Sequence, residues 1–412
     1  LTCNRNLLMS ASKAKKQLLE SFSRTIDEIF SLNEFEELID SKKKIRIKYG
    51  VDVTSPYLHI GHAVNLWMMR ELQDLGHKVV FLIGDFTTQI GDPTGRNNTR
   101  PIIPQSEIDK NAEEFIRQAK MVLRFDDPDL LEVRRNSEWF SKYQLSEFLK
   151  LLSMVTHSRL ISRDMFQRRI KNQEDIYLHE MIYPILQGYD SYVLESDLTI
   201  IGSDQLFNEM LGRFYQQRFG QKPQVIITTK ITQGIDGKAK QSKSLDNYIG
   251  LGHSSRDKFG RCMKVPDELI MDYLKIYTKV PKKEISIIEK EIANDPMTWK
   301  KFLAEEIIKR YHDEASARSE REWFENTFSK KITPEDIPTI EVGGSQWIAI
   351  DLVNKYFDNS KSSSEVRRLF KQGAVSVNGE NIPLFDANIA IVTGGVVKVG
   401  KRNWFKIKVV GN

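Results

Sequence analysis

Between about Lys43 and Gly250, strand-like runs alternate with helical ones, and no other feature constrains the chain as much. Such alternation is the signature of βαβ units around a parallel sheet, so it predicts an α/β unit. Lys44 to Tyr49 alternates polar and apolar residues and breaks at Gly50. Leu58 to Leu75 reads as an amphipathic helix stopped by Gly76, and Val79 to Ile83 as an apolar strand ending in Gly84-Asp85. The strand Leu198 to Ile201, the helix Leu206 to Phe219 and the strand Gln224 to Thr228 continue the series. In these sheets ligands bind beyond the carboxyl ends of the strands, so the residues just after each strand deserve the closest reading.

From Ser254 to Ile332 the pattern becomes helical, with Pro266, Pro281 and Pro296 near helix starts. Pro334 to Pro338 and Gly343-Gly344 then read as a linker. The tail predicts helices around Gln346 to Tyr356 and Ser363 to Lys371. Short strands follow at Ala374 to Val377, Ala390 to Val392, Val396 to Val399 and Phe405 to Val409. The expected organisation is a helical N-terminal extension (1–34), an α/β domain (35–253), a helical domain (254–332), a linker (333–344) and a C-terminal domain (345–412). Charge separates the last of these from the rest. Residues 345–412 hold ten Lys/Arg against five Asp/Glu, which accounts for the whole net charge of +5.

With 40% apolar and 28% charged residues the chain can bury a core and is not a disordered sequence. Cys3 and Cys262 are the only cysteines, which excludes a disulfide framework and a thiolate metal cluster. No run of about 18 apolar residues occurs. The first 19 residues carry Arg5, Lys13, Lys15 and Lys16 with no acid before Glu20, in the manner of a transit peptide. The chain begins at Leu1 with Met9 soon after, so this segment also reads as a processing remnant. A cytoplasmic setting is the expectation, with an organelle as the alternative.

Chemistry concentrates at a few junctions. The strand-to-helix turn Asp52 to His62 places His59 and His62 three residues apart, on one side of a helix N-terminus whose free N–H groups suit a phosphate. Gly61 between them admits a ribose or base close to the backbone; taken alone, the two histidines equally well cap a helix. Lys238 to Ser244 interleaves lysines with small residues, as a loop that closes on a polyphosphate does, though solvated basic loops look the same. Tyr183, Gln187 and Asp190 fall on one helix face as either a ligand-binding or a solvent-facing stripe. Ile201 to Gln205 and Ile90 to Gly95 place Asp204 and Asp92 at further strand ends or turns.

Taken together these elements resemble one family. His59-Ile60-Gly61-His62 is similar to the HIGH signature of class I aminoacyl-tRNA synthetases, and Lys240-Gln241-Ser242-Lys243-Ser244 to their KMSKS loop with Gln for Met. Tyr183 to Asp190, Gly202 to Gln205 and Ile90 to Pro93 resemble the bacterial-type tyrosyl-tRNA synthetases. Ser363 to Phe370 and Val375 to Gly379 resemble a small RNA-binding domain first named from a ribosomal small-subunit protein. The fold so implied is α/β: a Rossmann-like parallel-sheet catalytic domain, an α-helical domain of the anticodon-binding type, and a small α+β RNA-binding domain.

The resemblance implies roles. Thr54, His59 and His62 would stabilise the α-phosphate under attack, and Lys240 and Lys243 the departing pyrophosphate. Asp52, Gly61, Gly202, Asp204 and Ser244 would complete the ATP site. Asp92, Tyr183 and Gln187 would hold the tyrosine ammonium, Gln205 its carboxyl region and Asp190 its phenol. Arg367, Arg368, Lys371 and Arg402 would contact tRNA. ATP would enter with Mg²⁺ as substrate, without a tightly bound cofactor or a protein metal site, and the partners implied are L-tyrosine, tRNA-Tyr and a second copy of the chain. The sequence departs from the family pattern at Val53, where proline is usual, at Ile201, where glycine is usual, and at Lys48, where one branch has the tyrosine that contacts the substrate hydroxyl; Tyr49 lies beside it. Lys48 and Tyr49 therefore both stand as candidates near the phenol. Only 178 positions separate His62 from Lys240, which leaves little room for an editing domain. A site that hydrogen-bonds the substrate hydroxyl needs none, as tyrosine enzymes of this class exemplify. A tryptophan enzyme, a small-molecule nucleotidyltransferase and an RNA-binding relative with a retired site are the competing readings.

Overall fold

The computed structural model describes residues 15–41, 43–92, 103–329, 337–358, 360–400 and 403–410. The chain divides after Glu320 into two compact units. The first opens with helix α1 (residues 15–22), strand β1 (Ile26–Phe30), α2 (Leu32–Asp40), β2 (Arg46–Val51), α3 (Ile60–Asp74) and β3 (Lys78–Ile83). There follow α4 (Asp85–Ile90), α5 (Gln105–Ala119), β4 (Leu131–Arg135), α6 (Ser137–Phe140), α7 (Leu145–Ser153), α8 (His157–Ile161) and α9 (Asp164–Lys171). The α/β series closes with α10 (Leu178–Val193), β5 (Leu198–Gly202), α11 (Leu206–Arg218) and β6 (Val225–Thr229). Helices α12 (Ser255–Cys262), α13 (Ile270–Tyr277), α14 (Lys282–Glu291), α15 (Pro296–Tyr311) and α16 (Glu314–Phe324) form the helical part.

The six-stranded sheet runs β1-β6-β5-β2-β3-β4. All pairs are parallel except β1 with β6. Its inner strands are apolar on both faces because helices cover both, as Val79 to Ile83 and Val225 to Ile227 illustrate. Helices α10 and α11 approach closely through small residues. A Cβ on Gly188 would stand 2.8 Å from the Leu211 Cβ, and one on Gly212 2.5 Å from the Ser191 hydroxyl.

Three sequence expectations need correction. The N-terminal extension (1–34) is not purely helical, because Ile26–Phe30 is a strand on the β6 edge and the Thr228 hydroxyl accepts its Glu28 N–H at 3.0 Å. An open sheet edge recruits such a strand, and nothing local encodes that pairing. Its limit at residue 34 also cuts α2, which the Ser31 hydroxyl caps by accepting the Glu34 N–H. The expected linker (333–344) contains a strand, Thr339–Gly343, paired in parallel with residues 406–410. Its flanking Pro and Gly residues hid the apolar alternation between them. Finally, the boundary at Ser254 separates no compact body, since the helical part as far as Glu320 belongs to the first unit.

The second unit is α+β. Its five-stranded sheet takes the order β10-β9-β12-β13-β7, with β7 (Thr339–Gly343), β9 (Val375–Val377), β10 (Glu380–Asn381), β12 (Val396–Val399) and β13 (Asn403–Val410). A small pair joins β8 (Gln346–Ile348) to β11 (Asn388–Ala390), so the first residues of the expected helix at Gln346 are strand. Helices α17 (Ala349–Phe357) and α18 (Ser363–Lys371) bury Leu352, Val353, Val366 and Phe370 with Val397 and Phe405.

Candidate active site

Chain order in the sheet reverses between β2 and β5, and the crevice at their carboxyl ends holds a cavity of about 660 Å³. Every residue that the sequence placed in the catalytic, ATP or tyrosine sets lines this cavity, from Lys48 to Ser244.

At one end, β2 runs through Asp52 to Tyr57 into the N-terminus of α3. The His59 N–H donates to His62 Nδ1 at 3.2 Å, and the rings lie 3.8 Å apart. The Ile60 N–H bonds the Ile249 carbonyl, and the Leu251 N–H bonds that of Leu58, which fixes the turn from behind. Burial pushes His59 down to about 3, assisted by the Lys243 and Lys240 ammoniums. His62 falls well below its usual range through burial, His59 and the same lysines. Both imidazoles are thus neutral at physiological pH and present N–H donors. Gly61 is needed sterically, for a Cβ there would stand 2.9 Å from His59 Nδ1.

Facing this turn is the loop Lys240 to Ser244. Asn247 pins it, accepting the Ser242 N–H at 2.7 Å and donating to Asp236 and to the Lys240 carbonyl. Lys243 donates to the Ser55 hydroxyl at 2.7 Å and lies 5.1 Å over the Phe115 ring. Lys240 pairs with Asp204 at 2.9 Å, an exposed contact that a ligand can displace.

The other end is formed by α10. Tyr183, Gln187 and Asp190 face inward, so the stripe is not solvent-facing. The Tyr183 hydroxyl donates to Asp52 at 2.9 Å, and burial together with Asp52 and Asp92 raises its pKa. Gln187 donates to Glu209 at 2.9 Å and accepts from Asn208 at 2.7 Å, which fixes its amide. Asp92 accepts from Gln205 at 2.8 Å. Asp190 accepts from the Trp139 indole at 3.0 Å and the Asn136 amide at 3.4 Å. Burial nonetheless pushes it up to about 8, against the opposing effects of Lys48 and these donors. Among the described residues, no group of three or more His, Cys, Asp or Glu is placed to hold a metal ion.

The family described as class I tRNA synthetases (W and Y) matches residues 40–329. The chain belongs to this family. It is 39% identical to the tyrosine–tRNA ligase of Thermotoga maritima over 95% of its length and 97% of that protein, and 40% identical to that of Francisella tularensis over 95% and 98%. Its fold is that of a C-terminally truncated mitochondrial tyrosyl-tRNA synthetase from Aspergillus nidulans (TM-score 0.64, 23% identity, 77% of this chain and 97% of that one). The Archaeoglobus fulgidus enzyme complexed with L-tyrosine is similar at a TM-score of 0.58 and 21% identity, over 74% and 99%. The Rossmann-like reading of the first unit stands.

Two of this synthetase's departures from the family pattern have local physical accounts. Val53 donates its N–H to the Thr88 hydroxyl at 3.0 Å, a bond a proline cannot make. Gln241 is buried and donates to the Tyr277 hydroxyl of α13 at 2.8 Å, which a methionine sulfur cannot do. The two candidates near the phenol separate by the alternation of β2. Lys48 reaches Ser191 and Glu209 on α10 and α11, whereas the Tyr49 ring packs 5.6 Å from Phe81 and burial raises its pKa.

Sequence reading missed Asn136, Trp139 and Glu209. Asn136 directly follows β4, where the strand-end rule would have found it had that strand been identified. Glu209 lies inside a helix with no motif around it, and only the tertiary structure reveals its partners. Arg367, Arg368 and Lys371 stand exposed on α18, with Arg367 5.0 Å over the Phe385 ring. Arg402 lies outside the described residues.

Proposed function

We propose that the chain is a tyrosine–tRNA ligase, forming tyrosyl-adenylate and pyrophosphate from L-tyrosine and ATP and then transferring tyrosine to the 3′ end of tRNA-Tyr. The observation that carries the reading is a single cavity with neutral histidines and lysines at one end and a buried carboxylate, Asp190, at the other. The substrate's own carboxylate is the nucleophile. Catalysis therefore needs positioning and charge stabilisation at the phosphates rather than an activated side chain.

His59 and His62, with Thr54, face the α-phosphate as it is attacked, and Lys240 and Lys243 draw off the negative charge of the pyrophosphate. Asp52, Gly61, Gly202, Asp204 and Ser244 hold the rest of ATP, which enters as its Mg²⁺ complex. Asp92, Tyr183, Gln187 and Gln205 orient the amino acid, and Asp190 accepts its phenol. Closure of the loop exchanges the Lys240–Asp204 pair for contacts with the nucleotide. The exposed cations of α18 contact tRNA backbone, a role that weakens with salt. A homodimer in the cytoplasm belongs to the same reading; Leu145, Leu149 and Leu178, at 73%, 55% and 78% exposure, supply apolar surface for a second copy.

The test is amino-acid-dependent ATP–pyrophosphate exchange across the twenty amino acids without tRNA, followed by charging of tRNA-Tyr. Exchange with tyrosine alone is the expected result. Exchange with tryptophan would keep the family and overturn the Asp190 assignment. A folded protein without exchange would refute the reading.

A further inference from the structure

In the cavity wall lies a buried ion pair to which the proposed reaction assigns no step. Lys48 on β2 and Glu209 on α11 have side chains 2% exposed and meet at 2.8 Å. The Lys48 ammonium also donates to the Ser191 hydroxyl at 2.7 Å and to the second Glu209 oxygen at 2.9 Å. Three hydrogens and three close acceptors leave it nothing to donate to a substrate. Glu209 is equally occupied, receiving Gln187 at 2.9 Å and Gln224 at 2.8 Å besides the lysine. Burying two charges costs desolvation that mutual attraction barely offsets, so stability alone is a poor reason for such a pair. Both residues nevertheless border the cavity.

We infer that Lys48 is a positioning residue for phenol recognition: anchored by Glu209 and by Ser191, the chain neighbour of Asp190, its ammonium favours the ionised acceptor form of the Asp190 carboxylate, while Glu209 holds the Gln187 amide in place. This rests on the tyrosine reading of the site. The groups that act on Asp190 are few. Lys48 from β2 favours its ionised form, Glu209 from α11 opposes it, Tyr183 stands two helical turns away on α10, and Asn136 and Trp139 from the β4–α6 corner are neutral donors. With Lys48 in place two buried carboxylates share one ammonium. Without it both lie on one wall uncompensated, and two such groups do not ionise together. Because Ser191 and Glu209 take all three of its hydrogens, Lys48 acts on the phenol through its charge.

Phenol binding needs ionised Asp190 and is gained as pH rises through its transition near 8. Removing the ammonium moves that transition up; removing the opposing carboxylate moves it down. The experiment measures the tyrosine KM and kcat of pyrophosphate exchange between about pH 6 and 10 for Lys48→Met, Lys48→Arg and Glu209→Gln. Lys48→Met is expected to shift the KM profile upward by about one pH unit, a roughly tenfold higher KM below the transition, with kcat changing less. Lys48→Arg should return the profile toward its original position, and Glu209→Gln should shift it downward. The opposite signs keep the test decisive if one variant fails to fold. Equal loss of kcat and KM at every pH, with the profile unmoved, would mean a structural role and overturns the inference alone. Absence of tyrosine exchange in the unsubstituted chain would overturn the tyrosine reading together with it.

Discussion

Replacing Gly61 by alanine separates the stability of the α3 N-terminus from its chemistry. The added Cβ would stand 2.9 Å from His59 Nδ1 and 3.0 Å from Cε1, where ordinary contact begins near 3.4 Å. The ring must therefore give by about 0.5 Å, and it is hemmed by His62 at 3.8 Å and Tyr248 at 6.0 Å between ring centroids. Rotating the imidazole off its preferred rotamer costs about 0.5–1.5 kcal/mol. Alanine in a helix gains about 1 kcal/mol over glycine. The two nearly cancel, so thermal unfolding should move by no more than about 2–3 °C. Catalysis has no such compensation, because a displacement of about 1 Å costs as much as 100-fold in rate and half of that roughly tenfold. Pre-steady-state adenylate formation should fall about tenfold with tyrosine affinity unchanged. An unchanged rate, or a rate loss matched by loss of the fold, would refute the claim that Gly61 exists to seat His59.

Three further outcomes are expected. Asp190→Ala should leave the Trp139 indole and the phenol without their acceptor and lower the preference for tyrosine over phenylalanine by about 10- to 100-fold, read as the ratio of kcat/KM values; an unchanged ratio removes Asp190 from the phenol site. Because burial raises the Asp190 pKa in the folded chain, folding stability is fully present below the unfolded carboxylate range and is lost as pH rises through about 8. Asp190→Asn should flatten that decline in thermal melts between pH 5 and 9, and a parallel decline would refute the assignment. The histidines act in the other direction. Burial lowers His59 and His62, so stability is present above about pH 6.5 and is lost as pH falls toward about 3, and His59→Ala should weaken that loss in acid melts while slowing adenylate formation.

The sequence carried most of the site because its parts are local. Strand ends, a helix N-terminus and a lysine-bearing loop are each written in a few consecutive residues, and strand periodicity places them at one edge of a sheet. Spacing alone put Tyr183, Gln187 and Asp190 on one helix face, since that geometry depends only on the helical repeat. The sequence could not say whether the face met solvent or cavity. That depended on α11 docking against α10, with Gly188 meeting Leu211 and Gly212 meeting Ser191, contacts between residues more than twenty positions apart. Pairings at long range decided the rest: β1 completing the edge at β6, β7 joining β13 from inside an apparent linker, and Lys48 on β2 finding Glu209 on α11. Hydrogen bonds between strands and charges buried between elements have no period and no neighbour in the sequence. They exist only once packing has removed the water that would otherwise satisfy each group by itself.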